Sequence, residues 1–97
     1  MSDQPESAPE LNFTAFVLSL ASTAAIHFGD LPDPMTGQPV PENLEGAAQM
    51  IEILGLLEQK TRGNLTAEER QVLEQVLYEL RMRFVEATRG SKLIVEP

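Results

Sequence analysis

Residues 60–69 read Lys-Thr-Arg-Gly-Asn-Leu-Thr-Ala-Glu-Glu, and this stretch decides the fold. Its first half stops a helix. Gly63 can take the left-handed backbone that closes one, and the Lys60 ammonium suits the negative helix end. Its second half starts another. Thr66 and Glu69 have capping-box spacing: the Glu69 amide can donate to the Thr66 hydroxyl, and the Thr66 amide to the Glu69 carboxylate. Only Thr61-Arg62-Gly63-Asn64-Leu65 lie between stop and start. A link that short predicts an antiparallel helical hairpin.

Working outward, a helix is predicted over 66–88. At 100° per residue, Val72, Leu73, Val76, Leu77, Leu80 and Phe84 share its main apolar face. Tyr78, Met82 and Val85 form a smaller apolar face on the other side. Arg70–Glu74 and Glu79–Arg83 sit four apart, the spacing of helical ion pairs. Before the turn, a helix is predicted over 42–60. Leu44, Ala47, Ala48, Ile51 and Leu54 form one face, and Met50, Ile53 and Leu57 widen it. Glu45, Gln49, Glu52 and Gln59 leave a narrow wet strip. Gly46 and Gly55 weaken this helix by about 1 kcal/mol each relative to Ala, which points to another helix passing close by.

A further helix is predicted over 12–28, with Asn12 or Thr14 as its cap and Gly29 as its stop. Residues 11–28 contain no Asp, Glu, Lys or Arg. Phe13, Phe16, Val17, Leu20, Ala24 and Ile26 give it bulk, while Ala21, Ser22 and Ala25 make a small-residue patch. Its apolar side chains point nearly all round, and such a helix needs cover all round. Two other helices cannot provide that. The expected fold is therefore all-α: the hairpin plus an apolar N-terminal helix, in an oligomeric bundle.

A single helical domain is expected over 12–88, with a disordered acidic tail over 1–11 and a C-terminal tail over 89–97. Within the second tail, Leu93-Ile94-Val95 has strand-like composition. The link Asp30–Pro41 is stiffened by four of the seven prolines. A core this small supplies only about 3–5 kcal/mol of net stability, and the absence of cysteine rules out a disulfide. Oligomerisation is the remaining remedy.

The net charge of −8 is uneven. Nine acids and no Lys or Arg precede residue 60, whereas seven bases and six acids follow from Lys60 onward. This imbalance argues against nucleic acid, which needs a basic stripe. A membrane span is disfavoured as well: the apolar segment holds Asn12, Thr14, Ser19, Ser22, Thr23 and His27 and lacks basic or Trp/Tyr flanks. Asp3, Glu6 and Glu10 are unlike the basic start of a signal peptide, so a cytoplasmic protein is expected.

No residue pattern specifies catalysis. His27, Asp30 and Asp33 offer a mixed ligand set, but their spacing crosses a helix end into the proline-rich link, and no metal is expected. Glu45 and Glu52 lie on the wet strip, where nothing perturbs a carboxyl for acid–base work. Ser19, Ser22 and Ser91 have no adjacent base. The expectation is no enzyme and no cofactor. Arg81 lies between the two apolar faces of its helix, where it could reach Glu52 or Glu58, in this or a neighbouring chain, in an ion pair that would fix register.

The Lys-Thr-x-Gly-Asn-Leu-Thr-x-x-Glu run of residues 60–69, followed by Leu80-Arg81 and Phe84-Val85, resembles a family of small bacterial proteins called domain of unknown function 1844. Phe13, Phe16, Val17 and Leu20, and the series Ala47, Ile51, Leu54 and Leu57, extend that resemblance over roughly 12–88. It implies a short, cytosolic, all-helical protein and carries no activity or site residue. The function expected is self-association, as a homodimer or higher assembly. The interface would use Phe13, Phe16, Val17, Leu20, Ala24, Met50, Ile53, Leu57, Tyr78, Met82 and Val85. The alternative is an adaptor that holds a different protein on the same surface.

Overall fold

The computed structural model describes residues 11–95, with side chains through residue 89. It contains α1 (Phe13–Phe28), α2 (Leu44–Thr61) and α3 (Ala67–Val95), each packed against the other two. No strand occurs among the described residues. The acidic tail expected over 1–11 lies outside them except for Leu11, which is exposed and precedes α1.

Each helix boundary has a local cause. Asn12 Oδ1 accepts from the Ala15 amide at 2.8 Å and opens α1. Gly29, at φ 83°, closes it: its amide donates to Ile26, and the Asp30 amide donates to Ala25, the paired bonds of a Schellman motif. Asn43 opens α2 by accepting from the Gly46 amide at 3.0 Å, so the helix starts two residues later than the sequence suggested. The Asn43 amide also donates to the His27 carbonyl at 2.7 Å, which ties the end of α1 to the start of α2. The predicted start forms, but α2 stops one step short of a Gly63 cap, at Thr61 with Arg62 as its cap, and Gly63 takes its positive φ in the turn closed by the Asn64 amide donating to the Thr61 carbonyl at 2.8 Å. Gly63 has φ 86°, and Thr66 and Glu69 exchange bonds of 2.9 and 3.0 Å.

α2 starts beside the end of α1, at the Asn43–His27 bond, and α3 turns back to bring Arg83 and Phe84 to that same end at Asp30 and Phe28. Val17, Leu54, Leu73, Val76 and Leu77 form the core where the three meet. Phe13, Leu20, Ala21, Ile51, Leu57, Leu65, Val72 and Leu80 pack around it. Ala24 and Ala47 are also wholly buried, and Phe28 nearly so. Ser22, expected in a contact patch with Ala21 and Ala25, is exposed.

α3 departs from expectation. It continues through Gly90 to Val95, so the backbone over 89–95 is helical where a non-helical tail was expected, and Leu93-Ile94-Val95 is not a strand. One glycine weakens a helix by about 1 kcal/mol, which does not end it without a left-handed cap or a proline. At 1.5 Å per residue, the 29 residues of α3 span about 43 Å, against about 27 Å for the 18 of α2. In an antiparallel hairpin, α3 must outrun its partner.

Candidate interaction surface

The outward side of α3 is built by helical spacing. Tyr78, Met82 and Val85 follow one another at steps of four and three, so they stack on a single face. That face points away from the core, where Leu73, Leu77 and Phe84 lie inward. Tyr78 is 62 % exposed, Met82 51 % and Val85 44 %. With Glu79, Arg83, Glu86 and Arg89 they line a shallow groove of about 490 Å³.

A second hollow of about 250 Å³ lies at the seam of α2 and α3, lined by Ala48, Ile51, Arg81, Phe84 and Val85. Val85 belongs to both hollows, so the apolar strip passes from α3 onto the flank of α2. Arg81 lies within this seam. Within the chain it makes no direct ion pair with Glu52 or Glu58, although its charge acts on the Glu58 carboxyl from a distance. A methyl group on Gly55 would lie 3.5 Å from its Nη2. Arg62 has taken Glu58 instead, at 2.6 Å, across one helical turn. That bond chiefly, with help from the Arg81 charge, holds the Glu58 carboxyl below its usual pKa, and it raises that of Arg62.

Arg83 forms one wall of the larger groove, and its position is set from elsewhere. Its Nε and Nη2 each donate to Asp30 at 2.8 Å, and its guanidinium lies 5.0 Å from the Phe28 ring centre. Phe28 in turn meets Phe84 edge-on at 6.5 Å. The predicted pairing of Arg83 with Glu79 is therefore replaced, and Glu79 accepts from Gln75 at 2.7 Å. The Asp30 carboxyl is held below its ordinary pKa chiefly by the hydrogen bonds from Arg83, whose own pKa is raised in return. Asp30 and Arg83 are 53 residues apart, so local spacing gave no sign of the pair.

The other residues expected at an interface divide. Val17 and Ala24 are fully buried inside the single chain and offer nothing to a second molecule. The cause is that α1 turns this side toward α2 and α3. Phe13, Leu20, Met50 and Leu57 are half-buried. Phe16 and Ile53 are exposed, and so are Leu18 and Leu56, which helical patterning had not singled out.

His27, Asp30 and Asp33 do not converge. His27 packs against Gly46, Asp30 holds Arg83, and Asp33 accepts from the Met35 amide within its own loop at 2.8 Å. Among the described residues no three His, Cys, Asp or Glu side chains are grouped as metal ligands. No helix of the described residues is long and apolar enough to cross a membrane.

The model of the family described as "Domain of unknown function (DUF1844)" matches residues 10–86. No curated protein and no solved structure matches the chain.

Proposed function

Because the chain belongs to that DUF1844 family, whose description assigns no activity, we propose its role from the surface itself: a non-catalytic helical protein that self-associates. The observation that carries this is the exposed Tyr78, Met82 and Val85 stripe on a helix longer than its two neighbours. A core of this size gains from any apolar area that an assembly hides. Three of the carboxylates serve the fold itself. Asp30 binds Arg83, Glu58 binds Arg62, and Glu69 caps α3.

Light scattering on the purified protein at tens of micromolar tests the reading. A mass of two or more chains is expected, and Met82→Glu should reduce it. Each large apolar side chain kept out of water contributes about 1.5–3 kcal/mol, and a charge at the centre of the stripe removes that gain. A wild-type monomer refutes self-association. A monomer that holds one other polypeptide at fixed stoichiometry would replace it with the adaptor reading.

A further inference from the structure

The larger groove carries charges that select its occupant. In a chain of net charge −8, this groove is lined by two acids, Glu79 and Glu86, and two bases, Arg83 and Arg89. A polyanion would meet both carboxylates. A strongly basic segment would meet both guanidinium groups. A second α3 brings the same four charges, and run in the opposite direction it brings them in reverse order.

Resting on the self-association reading, we propose that two copies pair through α3, antiparallel, about a two-fold axis at the level of Phe84. Positions equally far before and after Phe84 then face one another. Glu79 and Arg89 stand five residues on either side of it, so each meets the other, twice per dimer. Met82 falls between the partner's Val85 and Glu86. Tyr78 lies beside the partner's Arg89, within reach of a cation–π contact. The charge pairs set the register while the apolar stripe supplies the burial. A parallel pairing would place Glu79 on Glu79 and Arg89 on Arg89.

The chain has no cysteine, so introduced ones report directly. Val85→Cys lies beside the axis and is expected to form a disulfide with its own copy under mild oxidation. Tyr78→Cys lies six residues from the axis, which separates the two copies by about 18 Å along the helix, and no bond is expected. Glu79→Arg or Arg89→Glu alone should raise the dissociation constant roughly tenfold, since symmetry counts each reversal twice. The double reversal should return it to within about threefold. Circular dichroism of every variant separates lost pairing from lost fold. Equal cross-linking at Val85→Cys and Tyr78→Cys, or a double reversal that fails to restore the dimer, overturns this geometry. If the wild type still has the mass of a dimer in that case, self-association stands and the antiparallel α3 contact alone is rejected. A monomeric wild type removes both.

Discussion

Arg83 and Asp30, one on α3 and the other just past the end of α1, meet through two parallel hydrogen bonds of 2.8 Å. This fork joins the first and last helices and fixes a wall of the outer groove. The Asp30 side chain is 44 % exposed, so solvent screening holds its contribution to about 1 kcal/mol or less.

The pair sets a pH dependence. The Asp30 pKa in the folded chain is lowered below 3.8, so as pH falls the unfolded chain takes up this proton first. The stabilisation is complete above the unfolded aspartate value of about 4 and disappears as pH drops through the lower folded value. Urea denaturation of the wild type and Asp30→Asn should show a gap at pH 7 that closes below about pH 4. High salt should narrow the gap at pH 7. A gap that widens on acidification would show that the carboxylate does not stabilise the fold.

Arg83→Ala should destabilise more than Asp30→Asn. It removes the same fork and also the contact with the Phe28 ring, at 5.0 Å, for a further ~0.5–1 kcal/mol at a partly exposed site. Comparing the two variants by urea denaturation at pH 7 checks the order. Equal losses would mean that the ring contact adds nothing.

The Thr66–Glu69 box governs the first turn of α3. Thr66→Ala leaves the Glu69 amide without its acceptor and should lower stability by about 1 kcal/mol. Hydrogen exchange gives a sharper readout than the denaturation midpoint. Amides in the first turn of α3 should lose protection while those near Leu77 change only with the global stability.

The helical hairpin was legible because its signals are local. Thr66 and Glu69 act within a few residues of themselves and form the box their spacing required, while Gly63 supplies the left-handed residue of the turn just after the helix end and not the cap itself. The cap of α2 was local too, but Asn43 follows a proline-rich link and its role shows only once Gly46 is seen to donate to it. Other features depend on distant chain. Periodicity identified Val17 and Ala24 as apolar without saying which neighbour they face, and both prove to be interior. Arg83 had a suitable acid one turn away in Glu79, yet the closure of α1 onto α3 supplied Asp30 in better geometry. Of the surface, the Tyr78, Met82 and Val85 stripe was readable from helical phase. Its continuation onto α2 through Val85 was not, because that depends on how the two helices cross.

Gly46 and Gly55 both lie within α2, and their replacement should act in opposite directions. On propensity alone, Gly→Ala in a helix favours folding by roughly 1 kcal/mol. At Gly55 an added methyl would lie 3.5 Å from Arg81 Nη2, an ordinary contact with a side chain that can move. Gly55→Ala should therefore raise the urea midpoint. At Gly46 the methyl would fall 2.7 Å from Asn43 Nδ2 and 2.8 Å from His27 Nδ1. Relieving the first contact disturbs the side chain that caps α2, and relieving the second shifts a ring packed at the junction of α1 and α2. Gly46→Ala should lower the midpoint, since a lost cap of about 1 kcal/mol plus a displaced ring outweighs the propensity gain. A midpoint raised equally by both substitutions would mean that the close approach of His27 to α2 has no bearing on stability.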